Sequence, residues 1–396
     1  MYRAKSDTET AIPPMASQTR LVTPISQRQA AITHLINGLY TGGAEMMLYK
    51  LLSGMDRERF SAQVITLIDG GELQEKVENL GIKVYSLGMK PGSVSVAGIR
   101  RLIHYLRQNP PDLIQTWMYH SDLIGGSVGK LITNAPIVWN LRTSDIVRQT
   151  GSKLTTLTIK ACALLSAFVP QRIVSCSEIA CQMHAELGYD KGKLLPIPNG
   201  VELSKFQPDD SARTSLREEL NLASTTPLVG MVARFHPQKD HANFVQAAAH
   251  LHPLMPDVHF VLCGDDVTWE NQQLAGWIAA AKLEQRVHLL GRRKDTPRIN
   301  AALDVATLSS AYGEGFPNVL VEAAGMKVPV VATQVSGCLD AVQDGVTGTL
   351  IPPYDAARLA GAVRMYLYDG ELRRRHGEAA RDWVLREFRP EGIWKA

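Results

Sequence analysis

The sequence predicts an α/β protein built from two doubly wound parallel-sheet domains that face each other across a cleft. Three observations carry this. Short apolar runs alternate with amphipathic stretches from residue 30 onward, and repeated strand-then-helix order implies a parallel sheet covered on both faces. The alternation breaks once, in the turn-rich segment 197–208, and then restarts. The chain has 396 residues, 45% hydrophobic and 20% charged, which at about 150 residues per domain suits two or three domains with sizeable cores.

The elements follow in order. In the first half, strand-like runs fall at 31–39, 62–68, 83–87, 113–118, 137–141, 172–176 and 194–197. Helical patterns lie between them at 43–55, 71–80, 96–108, 121–132, 153–168 and 177–187. A polar segment follows residue 208. In the second half, strands are expected at 228–233, 258–263, 287–290, 305–308, 328–332 and 349–351. Helices are expected at 241–252, 269–283, 296–303, 318–326, 339–344 and 355–367, and a long charged helix at 371–388. The organisation is therefore a loose tail over 1–29, polar and carrying Pro13-Pro14, then domains over 30–205 and 206–375. A C-terminal stretch, 376–396, is expected to cross back to the first domain.

Composition excludes several classes. It is not that of a disordered chain, a collagen or a disulfide miniprotein. The longest nearly apolar run, 161–169, falls far short of the ~20 residues that span a bilayer. The net charge of +3 is too small to argue for nucleic acid. Residues 1–200 hold 21 basic and 15 acidic side chains, and the remainder 21 and 24. A basic first half suits an anionic surface or substrate, or is ordinary scatter of solvated charge. The five cysteines are an odd count without a CxxC pair, which fits buried free thiols in a reducing compartment. The spacing of Cys176, Cys181 and His184 matches no zinc motif. The N-terminus lacks the charged and apolar regions of a secretory signal.

In such folds ligands bind beyond the carboxyl ends of the strands, often at helix N-termini. The first strand runs into Gly42-Gly43-Ala-Glu45 and then a helix, either a tight structural turn or a backbone approach to an anion. It is not a GxGxxG loop, and no acidic residue ends the second strand in the manner of a dinucleotide fold. His120 stands where the fourth strand gives way to a helix, and Arg142 follows the fifth strand, where it binds a phosphate or pairs with Asp145. In the second half, Arg234 and Lys239 bracket the loop Ala233-Arg-Phe-His-Pro-Gln-Lys-Asp240. A guanidinium fork and an ammonium point charge form a sensible pair for a diphosphate, or two solvated bases. The sharpest segment is Glu314-Gly-Phe-Pro-Asn-Val-Leu-Val-Glu322. Gly313 and Gly315 flank Glu314, a helix starts near Asn318 with free N–H groups, and Glu322 falls in its second turn. A carboxylate beside a phosphate site is costly unless hydroxyls donate to it, which points to a sugar or ribose.

Taken together, GGAE at 42–45, the His120 region, PNG at 198–200, ARFHPQKD at 233–240 and EGFPNVLVEA at 314–323 resemble the family 4 glycosyltransferases, retaining enzymes of the GT-B fold with two Rossmann-like domains. The resemblance covers roughly residues 30–390. It implies that Glu322 holds the ribose of a nucleotide-sugar donor. Arg234 and Lys239 bind its diphosphate, helped by the backbone of Phe316, Pro317, Asn318 and Val319. Glu314 contacts the transferred sugar, and His120 faces that sugar from the first domain. Gly42 and Gly43 lie near the diphosphate and acceptor, and Arg292 and Arg293 near the nucleobase. Arg142 and Asn199 are acceptor-side candidates, although Asn199 also serves as a turn residue. Many relatives carry Pro and Glu after the Ser336-Gly337 turn, where this chain has Leu339 and Asp340.

The implied reaction moves a sugar from a UDP- or GDP-sugar to an acceptor hydroxyl with retention, without cofactor or metal, in surface polysaccharide or glycolipid assembly. No spaced DxD cluster is present, since Asp265-Asp266 are adjacent. The expected partners are the donor and a saccharide or lipid-linked acceptor, with no nucleic acid. The expected place is the cytoplasm, at the inner face of a membrane. The helix at 153–168, with Leu154, Leu157, Ile159 and Leu164, either packs in the core or rests on that membrane. A non-catalytic sugar-nucleotide-binding protein and a sugar-nucleotide epimerase remain alternatives.

Overall fold

Seven strands form the first sheet: β1 (Ala30–Ile36), β2 (Phe60–Thr66), β3 (Lys83–Ser86), β4 (Leu113–Trp117), β5 (Ile137–Leu141), β6 (Arg172–Ser175) and β7 (Leu194–Pro196). Six form the second: β8 (Leu228–Val232), β9 (His259–Cys263), β10 (Val287–Leu289), β11 (Val305–Leu308), β12 (Val330–Thr333) and β13 (Gly348–Ile351). The computed structural model describes residues 28–144 and 153–389. Every strand pair is parallel, in the orders β3-β2-β1-β4-β5-β6-β7 and β10-β9-β8-β11-β12-β13.

The apolar alternation explains the layers. Leu35 and Ile65 face one core with Trp139, while their neighbours Ile36 and Val64 face the other with Trp117. Successive side chains on a strand point to opposite faces, so a sheet covered on both sides needs apolar residues at consecutive positions. β9 is buried at all five residues. In each sheet the order reverses once, between β1 and β4 and between β8 and β11. Helices leave these adjacent strands toward opposite faces, so a crevice opens at their carboxyl ends. The strand ends holding His120, Arg234 and Glu314 are the ends of β4, β8 and β11.

Several elements differ from expectation. The helix expected over 121–132 is a turn, Tyr119–Ser121, then a π turn, Asp122–Gly126, then Ser127–Ile132. A π turn takes up one extra residue. It brings Gly125 and Gly126 against the sheet, where a Cβ at Gly126 would stand 2.5 Å from Trp139 Nε1. The helix expected over 71–80 shortens to Gln74–Glu78, because Gly71 at φ +121 lies against the Leu39 carbonyl. A helix not expected, Asp210–Glu219, occupies the polar segment; Asp209 caps it and Arg217 is buried on its inner face. Helix Gly370–Glu387 rests on helices Asn318–Gly325 and Ala356–Tyr368 and on β13. After it, the Phe388 carbonyl accepts from Val201 N at 2.9 Å. Residues beyond Arg389 lie outside the described residues, as do residues 1–27 of the expected tail.

The five cysteines are free and buried. Among the described residues no helix is long and apolar enough to cross a membrane.

Candidate functional site

The second domain builds its part of the site from two adjacent strand ends. After β8, Pro237–Lys239 form a short 3-10 turn, and Asp240 at φ +48 caps helix His241–Leu251 through Asn243 N at 3.1 Å. That turn is pinned to the loop after β11. Ala311 N donates to the Gln238 carbonyl at 2.8 Å, and Gln238 Nε2 donates to the Gly313 carbonyl at 2.6 Å. Lys239 Nζ consequently reaches Glu314 Oε1 at 2.5 Å, and Ser310 Oγ donates to the same oxygen. Glu314 is buried, and its carbonyl accepts from Gly337 N at 2.8 Å. Arg234 is exposed and makes no ion pair among the described residues. Burial holds the pKa of His236 below the usual histidine value, with Arg234 and Lys239 adding to the effect and Glu314 opposing it. Two cations, a carboxylate and an imidazole thus share one electrostatic neighbourhood.

Helix Asn318–Gly325 follows directly, with Pro317 at its N-cap. Its first-turn N–H groups, at Asn318 and Val319, have no acceptor within the helix and suit an anion. Phe316 is buried against Phe388, with ring centroids 5.3 Å apart. Glu322 lies one turn on. Burial pushes its carboxyl above the ordinary range, and Lys50 opposes that shift. Lys50 comes from helix Gly43–Gly54 of the first domain, its Nζ 3.9 Å from Glu322 Oε1.

The first domain contributes its own strand ends. Gly42 is the extended N-cap of helix Gly43–Gly54, and any Cβ there would meet the Glu45 carboxylate. A Cβ at Gly43 would meet nothing within 4 Å. His120 sits on the turn after β4, half-buried and without a hydrogen bond among the described residues; burial lowers its pKa, which favours the neutral imidazole. Arg142 is not solvent-facing. Its guanidinium lies 5.5 Å over the Trp117 ring and donates to the Ile197 carbonyl at 3.2 Å and to Asn199 Oδ1 at 3.0 Å. Asn199 Nδ2 then donates to Asn318 Oδ1 at 2.8 Å, linking the first domain to the helix of the second. Asp145, the alternative partner of Arg142, lies outside the described residues.

The structure therefore brings Lys239, Glu314, Arg234, Asn318, Glu322, Asn199 and Arg142 together, while His120 lines a first-domain cavity beside Asn37. Arg292 reaches across to Thr41 Oγ1 at 3.3 Å and Glu72 Oε2 at 3.4 Å. Arg293 is committed elsewhere, to Asp295 at 2.8 Å and Glu219 at 2.7 Å. Among the residues that join the domains, sequence reasoning named Asn199 and Asp340 without this role and missed Ser144 and Lys50. Ser144 Oγ donates to the Glu314 carbonyl. Lys50 meets Glu322. Asp340 Oδ2 accepts from Ile179 N at 3.5 Å, at the start of helix Glu178–Glu186. Lys50 carries no local motif, so only its one-turn-to-one-turn placement opposite Glu322 reveals it.

Residues 41–205 match the family model described as Glycosyltransferase Family 4, and residues 212–383 match the model described as Glycosyl transferases group 1. Among similar proteins, the UDP-Gal:alpha-D-GlcNAc-diphosphoundecaprenol alpha-1,3-galactosyltransferase of Escherichia coli is 29% identical over 270 residues, 66% of this chain and 68% of that protein. Among solved structures, Anabaena HepE in complex with UDP superposes with a TM-score of 0.82 at 24% identity, covering 92% of this chain and 97% of that one. Sucrose-phosphate synthase of Thermosynechococcus elongatus superposes at 0.78 and 21% identity, covering 93% and 97%. These likenesses show the GT-B fold.

Proposed function

The chain belongs to the family 4, group 1 glycosyltransferases, and we propose that it moves a sugar from a UDP- or GDP-sugar to an acceptor hydroxyl with retention at the anomeric carbon. The observation that carries this reading is the pairing of Lys239 with Glu314 at 2.5 Å beside Arg234, which makes no ion pair among the described residues, with Glu322 one helical step away. Phosphate, sugar and ribose each find a group of the right chemistry within that cluster.

The roles follow from charge. Arg234, Lys239 and the first-turn N–H groups of Asn318 and Val319 bind the diphosphate, as Phe316 and Pro317 set the helix start. They stabilise the charge that develops on the departing nucleoside diphosphate. We read the reaction as metal-independent because these groups supply that compensation. Glu322 accepts from the ribose hydroxyls. Glu314 positions the transferred sugar, and His120 faces it from the first domain. Gly42 and Gly43 keep the helix start open beside the diphosphate and acceptor. Arg292 lies toward the nucleobase, and Arg142 and Asn199 toward the acceptor. In the front-face step, the bond from the anomeric carbon to the phosphate oxygen breaks. The acceptor oxygen bonds to the same face, and its proton passes to the departing phosphate oxygen. No separate general base is needed.

HepE was solved with UDP, and the E. coli relative is named for a UDP-sugar donor and a diphosphoundecaprenol-linked acceptor. Both support a UDP-sugar donor, and the lipid-linked acceptor of the E. coli relative supports a place in surface polysaccharide or glycolipid assembly, which we place at the inner face of a membrane. The domain over 30–205 reads the acceptor and that over 206–375 the donor.

A thermal-shift panel with UDP, GDP, ADP, TDP and CMP tests the donor site on wild type and Glu322→Ala. At ~100-fold its dissociation constant a ligand stabilises by about 2.7 kcal/mol. One diphosphate should shift wild type and not the variant. Equal shifts in both would remove Glu322 from the site.

A further inference from the structure

A cavity of about 400 Å³ opens beside His120 in the first domain. Its volume falls in the ~300–1,000 Å³ range of small-molecule sites. At the cleft its polar lining is Asn37 and His120, from the ends of β1 and β4; farther out Lys90, Ser93 and Thr158 also line it. The rest is largely apolar and comes from two segments: the loop after β3, with Met89 and Val94, and helix Lys153–Leu165, with Leu157 and Ala161. Among the described residues no aspartate or glutamate lines it.

The helix does not stop at the groove. Ile159 and Cys162 are buried in the core, whereas Leu154 is 47% exposed, Leu157 64% and Leu164 77%, and Phe168 beyond its end is 75% exposed. These positions are spaced by three, seven and four residues, each a near-whole number of helical turns, so they form one outward stripe. Lys153 and Lys160 are exposed on the same helix, which has no acidic residue. Lys90, also exposed, lines the mouth of the groove. An apolar stripe studded with cations suits an anionic lipid surface.

We infer that the acceptor is an anionic membrane lipid. Its hydrocarbon chain lies in the groove between the 89–94 loop and helix Lys153–Leu165, and its hydroxyl-bearing head points to His120. The exposed leucines and lysines seat the domain on the bilayer from which that lipid is drawn. This rests on the reading of the cleft as the transfer site. Two features support a lipid over a free saccharide. A saccharide needs hydrogen-bonding partners along its length, and away from the cleft the Ser93 and Thr158 hydroxyls already donate to the Lys90 and Leu154 carbonyls. Leu154 and Leu157 also belong both to the groove lining and to the exposed apolar stripe, so the groove opens onto that stripe.

The test uses the whole chain. Sedimentation with vesicles of three parts phosphatidylcholine to one part phosphatidylglycerol should carry down wild type. Pure phosphatidylcholine vesicles should bind at least about tenfold more weakly, as should the Leu154→Glu/Leu157→Glu variant on the mixed vesicles. Monomeric lysophosphatidylglycerol should raise the melting temperature of wild type and not of Ala161→Trp, which fills the groove. Wild type left in the supernatant overturns the inference. So does a double variant that sediments like wild type, or an Ala161→Trp protein that the lysolipid stabilises equally. A wild-type dimer that the double variant turns into monomers also overturns it, since a second copy would then cover the stripe. The nucleotide shift, retained in both variants, shows that they fold and keep the donor site. Vesicle binding without any nucleotide shift in wild type would sink the donor reading and leave the membrane face standing.

Discussion

Lys50 Nζ stands 3.9 Å from Glu322 Oε1, so the carboxylate proposed for ribose is faced by a cation from the opposite domain. Burial raises the Glu322 pKa and Lys50 restrains it. Ribose hydroxyls donate to the ionised form, so the nucleotide should bind the deprotonated protein. The sign follows by linkage: affinity rises with pH through the raised pKa and is flat above it. Below it, affinity should fall by about tenfold per pH unit. Lys50→Met removes the restraint and should move the midpoint upward. Calorimetric titration of the stabilising nucleoside diphosphate between pH 4.5 and 8 reads both curves. An unmoved midpoint would uncouple Lys50 from the site.

Glu314 has its Oε1 held by Lys239 and Ser310, and its carbonyl held by Gly337 and Ser144. Four donors fix one residue, which is the kind of support a positioning carboxylate needs. Glu314→Gln keeps the shape and removes the charge. The expected result is a fall in kcat of about 10²-fold or more with nucleotide affinity little changed. A matching loss in nucleotide affinity would place Glu314 in diphosphate or ribose binding instead.

Gly315 works between the domains. A Cβ built there would lie 2.8 Å from the Arg142 carbonyl oxygen and 3.1 Å from Thr143 Cα. Both are backbone atoms, so the strain cannot be relieved by a flexible side chain. Gly315→Val should hold the cleft ajar and separate His120 from Glu314. Misplacement on the 1 Å scale can cost about 10² in rate. Small-angle scattering should show a larger radius of gyration for the variant with nucleotide bound. An unchanged radius with full activity would show that the two backbones need not meet.

How much was legible in the sequence depends on range. The parallel α/β architecture was readable because strand and helix periodicities are local, and helix 96–108 appears as Val96–Gln108. The carboxylates at 314 and 322 were readable because their spacing places them on one loop and one helix. Gly313 and Gly315 were readable only as glycines flanking Glu314, and that Gly315 makes room for the Arg142 backbone across the cleft was not. Lys50 and Ser144 were invisible, and so was the partner of Asp340, for the same reason: each matters through a residue 160 or more positions away. Helix 153–168 was ambiguous because its apolar residues divide, with Ile159 going inward and Leu154, Leu157 and Leu164 outward. Only the packing separates the two sets.

Arg217 and Asp304 show the same limit within one domain and support a stability prediction. Arg217 is fully buried, and its Nη2 meets Asp304 Oδ2 at 2.8 Å. Its other donors reach the Ala302 and Thr226 carbonyls, each at 2.9 Å. Asp304 Oδ2 also accepts from Leu228 N at 2.8 Å, so the pair ties helix Asp210–Glu219 to the start of β8 and the approach to β11. Asp304→Ala leaves a buried guanidinium without its counter-charge, which should cost about 3–5 kcal/mol. Replacing both partners with apolar residues, Arg217→Met with Asp304→Leu, removes the uncompensated charge and should cost less than Asp304→Ala alone. Urea denaturation read by tryptophan fluorescence compares the three proteins. A double variant no more stable than Asp304→Ala would show that these two side chains hold the helix through their separate backbone bonds, not through each other.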